Sequence, residues 1–260
     1  MQEKESQEYT TYQKVKPRYK TVLPIGCVIL IAAFFYLRAP ITTGDWTKQT
    51  VYLSLINSLH CQIADATPTL LLIDDDGGNG IYAIKAICDE LGMKATFAMI
   101  PMKTDQATCD TLVAWQREGF GIAIHGFNHH TWKEWSTDSV LTDLNRCERY
   151  LRQKGFDMQK IRLVVPPHGC NTKDIREAVY TKGYQMVTGA NTINPDTTVF
   201  QLGRLFITRD TDLSKVKGYL SRALRDKAYV ILGTHSSHPE EFSRENTIAV
   251  LKMAQDLGFQ

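Results

Sequence analysis

Three consecutive carboxylates, Asp74, Asp75 and Asp76, stand between an apolar run and two glycines in the stretch LLLIDDDGGNG, residues 70–80. Like charges side by side repel, and the end of a buried strand is a costly place to gather them. A cation at that point, or a reaction step that uses the charge, would account for the cluster. Among the seven histidines, His125, His129 and His130 fall in HGFNHH, His168 in PPHG, and His235 and His238 in THSSH, while His60 lies apart. Two imidazoles and a carboxylate leave open positions on a divalent ion, which is the pattern of a catalytic metal site rather than a structural one. Such an ion lowers the pKa of a bound water to about 7. A second carboxylate beside the ligand can accept the water's proton, and a histidine on the far side can protonate a leaving group. Taken singly, an acidic turn or an H-x-x-x-H pair is common without any of this chemistry. Their joint placement at strand ends is what points to a site.

Those strand ends follow from a regular alternation. Strand-like apolar runs occur at 69–73, 95–100, 121–125, 161–165, 185–189, 204–208 and 229–235. Between most of them lie stretches with helical spacing, including GIYAIKAICDEL, ATCDTLVAWQRE, SVLTDLNRCERYLRQKG, TKDIREAVYTKG and LSKVKGYLSRALRD, and TIAVLKMAQDLG follows the last. Helix starts are expected at Asp138-Ser139 and at Asn171-Thr172, and helix ends at Gly92, Gly119, Gly155 and Gly183. Strands alternating with helices predict an α/β fold with a parallel sheet, closed or open, whose function gathers at the carboxyl ends of the strands. A further short strand is expected after Gly258-Phe259.

The chain has 260 residues, 43% of them apolar, enough for one sizeable core and an appendage. A net charge of +2 and a pI near 8.1 give no sign of a nucleic-acid partner. Residues 1–20 read as a basic cytoplasmic tail, with Lys14, Lys16, Arg18 and Lys20. The following segment, 21–38, carries an uncharged apolar stretch from Thr21 to Leu37 and reads as an uncleaved transmembrane signal anchor. Its flanking cations orient the N-terminus inward, which places the globular domain outside the cytoplasm. Residues 39–66 read as a stalk, and 67–260 as the catalytic domain. Six cysteines in a chain this long do not make a disulfide framework, and those beyond Cys27 are expected mainly as small buried apolar residues.

The motifs resemble those of the polysaccharide deacetylases, carbohydrate esterase family 4. That family's T-F-D-D-G is similar to Ile73-Asp74-Asp75-Asp76-Gly77, and its H-[ST]-x-x-H to His125–His129, with Gly126 at the hydroxyl position. Its R-P-P-Y-G is matched by Val165-Pro166-Pro167-His168-Gly169, and its L-x-H by Gly233-Thr234-His235. The resemblance spans roughly Thr67 to Gln260 and implies a distorted (β/α)7 barrel that hydrolyses N-acetyl or, as the lesser alternative, O-acetyl groups of a cell-envelope or extracellular glycan. It implies one divalent ion, expected to be zinc, on Asp76, His125 and His129. Asp75 would be the general base and His235 the general acid. The His168 amide, beside Pro167, would bind the oxyanion. Beside Gly126, three further departures mark a divergent member. The arginine that orients the base is Val165 here, the tyrosine is His168, and the leucine of the last motif is Gly233. A fourth, D-x-W-like motif has only Asp196 as a candidate.

Two other readings compete. A haloacid dehalogenase-type phosphatase would use Asp74 as nucleophile and Asp76 as acid/base, but it leaves His125 and His129 unexplained and lacks a late acidic pair. A catalytically impaired barrel could bind carbohydrate without turning it over, with Trp132 and Trp135 stacking on sugar rings or belonging to the core.

Overall fold

The computed structural model describes residues 69–170, 172–188, 201–226 and 228–260. The expected membrane anchor and stalk, Cys61 and Asp196 lie outside these. Among the described residues no helix is long and apolar enough to cross a membrane.

Among the described residues, eight strands form one sheet: β1 (Leu70–Asp74), β2 (Ala95–Met99), β3 (Gly121–Ile124), β4 (Leu163–Val164), β5 (Gln185–Thr188), β6 (Gln201–Gly203), β7 (Leu205–Phe206) and β8 (Val230–Thr234). All pair in parallel, in the order β6-β5-β4-β3-β2-β1-β8-β7. The two strands at the ends of that order, β6 and β7, are consecutive in the chain and separated only by Arg204. One bent segment therefore pairs with β5 at its start and with β8 at its end. It nearly closes the sheet into a barrel of seven strand positions. The run expected at 204–208 is this closing segment, begun three residues earlier, and the run expected at 161–165 shortens to Leu163–Val164.

Among the described residues, six α-helices surround the sheet: α1 (Ile81–Leu91), α2 (Gln106–Arg117), α3 (Thr137–Gln153), α4 (Lys173–Thr181), α5 (Leu213–Arg225) and α6 (Arg244–Asp256). The Thr172 hydroxyl caps α4 as expected, accepting from the Ile175 amide. The start of α3 differs. Ser136 caps it by accepting from the Ser139 amide, so the cap lies two residues before the expected Asp138-Ser139 and the helix begins at Thr137.

Alternate side chains of a strand face opposite ways, and here the two faces carry separate cores. Ile73, Ala98, Ala123, Val165, Val187, Leu202 and Ile231 form the barrel interior. Leu72, Phe97, Ile122, Ile124, Val164, Met186 and Leu232 pack outward against the helices. Cys88, Cys109, Cys147 and Cys170 are buried free thiols, and burial pushes the Cys88 thiol up to about 12. They behave as small apolar residues, as the sequence led us to expect.

Candidate active site

The alternation of strand faces decides which way each aspartate turns. Ile73 faces the interior, so Asp75 continues that row across the barrel mouth, and Asp74 turns outward. The ladder persists to this point, because the Asp75 amide donates to the Thr234 carbonyl at 2.9 Å. The same parity carries His125 inward after Ala123 and His235 inward after Ile231. Asp76, His129 and His168 have φ of 69°, 65° and 54°, and they are the non-glycine residues with positive φ among those described. All three border this mouth, where strained backbone is held by the structure around it.

Asp76, His125 and His129 form the group whose ligand atoms lie within 4.8 Å of one another. The Nε2 atoms of His125 and His129 stand 3.2 and 3.1 Å from Oδ1 of Asp76. His125 Nδ1 lies 2.7 Å from the Val165 carbonyl, which can only accept, so the proton of the neutral ring sits on Nδ1. Its Nε2 therefore turns a lone pair towards Asp76. Oδ1 of Asp76 is buried without a hydrogen-bond partner. A buried carboxylate oxygen facing two imidazoles in this way fits a divalent cation, and its donor set suits zinc and its neighbours in the first transition row. The other oxygen of Asp76, Oδ2, receives Nε2 of His238 at 3.1 Å, a contact that the sequence pattern did not suggest.

Beside this group lies a carboxylate–imidazole pair, Asp75 and His235. Asp75 is 1% exposed, and Arg204 donates Nη1–H to Oδ1 at 2.7 Å and Nη2–H to Oδ2 at 2.6 Å. Burial alone would raise the Asp75 pKa, but the Arg204 charge outweighs it, aided by His235, and holds the carboxyl well below its ordinary range. His235 approaches with Nε2 3.6 Å from Asp75 Oδ2, and its Nδ1 lies 2.8 Å from Oε2 of Glu241. Burial opposes its charge, yet Asp75 and Glu241 prevail and raise its pKa to about 9. Arg204 and Glu241 did not figure in the sequence reading. The one available signal for Arg204 was a cation sharing the parity of Leu202 in an apolar run.

His168 sits in a short 3-10 turn, Pro167–Gly169, and its Nε2 lies 3.2 Å from the His129 carbonyl. Pro167 explains the missing hydroxyl in the H-x-x-x-H segment. Gly126 has φ +68°, and a Cβ there would fall 2.6 Å from Pro167 Cγ. The loop is anchored from beneath by Asp143, which accepts from the Phe127 amide at 3.0 Å. Asp74 stands apart from the reactive group and is fully buried. Its Oδ1 accepts from the Thr234 hydroxyl and the Ser236 amide, and its Oδ2 from the Ser236 hydroxyl. With both oxygens so engaged, it ties β1 to the loop after β8 and is not placed as a nucleophile. Trp132 is 0% exposed and belongs to the core, and Trp135 packs partly buried against it.

The sequence profile described as polysaccharide deacetylase matches residues 64–187, which hold Asp75, Asp76, His125, His129, Pro167 and His168. The match ends before Arg204 and His235. No curated protein matches the chain in sequence. Among solved structures it is similar to a family 4 acetyl xylan esterase from Clostridium thermocellum in complex with a cobalt ion, at 16% identity and a TM-score of 0.52 over 74% of this chain and 86% of that one. A family 4 carbohydrate esterase from Streptomyces lividans, in complex with acetate, is 18% identical with a TM-score of 0.52 over 75% and 92%. A family 4 pseudoenzyme from Bacillus anthracis is 15% identical with a TM-score of 0.52 over 76% and 64%. At these identities the likeness establishes the fold.

Proposed function

Residues 64–187 belong to the polysaccharide deacetylase family, and from that premise we propose that the protein is a metal-dependent hydrolase removing acetyl groups from a polysaccharide. N-acetyl groups are the proposed substrate, with O-acetyl groups the lesser alternative, on a cell-envelope or extracellular glycan. The observation that carries this reading is the meeting of Asp76, His125 and His129 at one point beside buried Asp75 and its part-exposed partner His235. Since the fold also occurs in a pseudoenzyme, the fold alone does not argue for turnover. The acid–base pair does, because neither member is needed to hold an ion.

Asp76, His125 and His129 would hold the ion, with zinc proposed. Once bound, it would supply an activated water and polarise the acetyl carbonyl. Asp75, ionised and clamped by Arg204, accepts the proton of the attacking water. The His168 amide donates to the oxyanion that develops. His235 then protonates the departing nitrogen, so it must carry its proton when Asp75 does not. Acetate release from chitin oligomers, peptidoglycan and acetylated xylan tests the reading, and no release from any of them by metal-loaded protein would overturn it.

The division of roles has a pH signature. His235 works protonated, so activity should fall as pH rises through its pKa, held up to about 9. Asp75 works ionised and sits below the ordinary carboxylate value of about 3.9, so it sets no limb above that value. Glu241→Gln removes one of the charges that favour protonated His235, and the basic limb should move to lower pH. A basic limb unmoved by this change, in a kcat/KM profile, would count against His235 as the acid.

The apolar stretch from Thr21 to Leu37 supports placing the domain on the outer face of a membrane, with the N-terminus cytoplasmic. The domain should then be digested by protease added to intact cells. Resistance would refute that placement.

A further inference from the structure

The segment that closes the barrel carries an inference that rests on the hydrolase reading. Leu202, Arg204 and Phe206 share one parity, and Leu202 lies in the barrel interior, so the parity turns the next two inward as well. Arg204, 4% exposed, gives both terminal nitrogens to Asp75. Its guanidinium carbon lies 4.4 Å from the centre of the Phe206 ring. The same ring stacks on the His235 imidazole, with centroids 4.8 Å apart and planes 26° from parallel. One aromatic side chain thus touches both the group that holds the base and the acid itself. Gly233 makes room for this arrangement. It stands opposite Phe206 in the β7–β8 register, and a Cβ there would lie 3.0 Å from Phe206 Cε1 and 3.2 Å from Arg204 Cδ.

We propose that Arg204 and Phe206 are positioning residues for the acid–base pair, Arg204 for Asp75 and Phe206 for His235, and that position 233 is glycine to admit them. A planar guanidinium fixes both carboxylate oxygens, whereas an ammonium fixes one. A flat ring against the imidazole restricts its rotation, and Glu241 holds the Nδ1 edge. The segment that joins the two ends of the sheet therefore also sets the 3.6 Å between Asp75 Oδ2 and His235 Nε2. Val165 and Gly233, where the family resemblance leads one to expect arginine and leucine, become one exchange. The valine fills the barrel interior, and the guanidinium and ring cover the glycine.

The test uses the full chain loaded with zinc and the variants Arg204→Lys, Phe206→Leu and Gly233→Leu. Each should lose about 10²-fold in kcat, the scale of a misplaced reacting group, with KM within about threefold and zinc content unchanged. Arg204→Ala should regain part of its rate when guanidinium is added at a non-denaturing concentration. A readout independent of turnover is the His235 Cε1 proton in NMR, displaced by the ring current of Phe206. That displacement should vanish in Phe206→Leu and change in Gly233→Leu. The proposal is overturned by wild-type kcat in Arg204→Lys and Phe206→Leu, by a loss confined to KM, or by a His235 resonance indifferent to the Phe206 and Gly233 changes. Wild-type protein that binds no zinc and releases no acetate would overturn the hydrolase reading instead, and the resonance would still decide the positioning.

Discussion

Asp75→Asn is expected to lower turnover by about 10²–10⁴-fold, the usual cost of losing a general base, while the bound metal and the fold persist. Asparagine keeps the shape of the side chain and one oxygen for Arg204, but it cannot take a proton from water. Its amide would also face a guanidinium nitrogen now 2.6–2.7 Å away, so some loss of stability should accompany the change. The neighbouring substitution separates the three aspartates. Asp74→Asn sets an amide donor against hydrogen bonds from Ser236 and Thr234, and it should reduce stability more than turnover per folded molecule. Activity measured against folded fraction and metal content distinguishes the two. Near-normal turnover in Asp75→Asn with loss in Asp74→Asn would reverse the assigned roles and restore the phosphatase alternative.

The second large effect is expected from the paired change His125→Ala/His129→Ala. Removing both imidazoles leaves Asp76 as the remaining protein donor of the group, and a lone carboxylate is a weak ligand for zinc. Metal content by elemental analysis should fall from about one ion per chain to near none, and acetate release should fall with it. Asp76→Ala should do the same, and the fold should survive because these side chains lie at the barrel mouth and outside both apolar cores. Full occupancy in the double variant would place the ion elsewhere. Taken with Asp75→Asn, which should lose rate and keep metal, this variant tests whether binding and proton transfer belong to adjacent residues.

The fold and the residues gathered at the candidate site were legible in the sequence because both depend on short-range periodicity. Apolar runs alternating with helical spacing specified a parallel sheet, and the placement of Asp75, Asp76, His125 and His235 at or just beyond the ends of those runs put them at one rim. The period of two along a strand then decides that Asp75 faces the mouth while Asp74 faces away, which becomes certain only once the inner row is known to include Ile73. Helix caps such as Ser136 were less legible, since several hydroxyl and carboxyl residues there could serve. The orientation of the acid–base pair could not be read locally at all. Arg204 lies 129 residues from Asp75 in sequence, and it reaches that carboxylate because a single bent segment pairs with β5 on one side and β8 on the other. Gly233 looked like a missing leucine until the ring of Phe206 was found over it. The chain's composition and spacing determine which groups can react. Closure of the barrel decides which cation and which ring hold them in place, because that contact exists only between segments far apart in the chain.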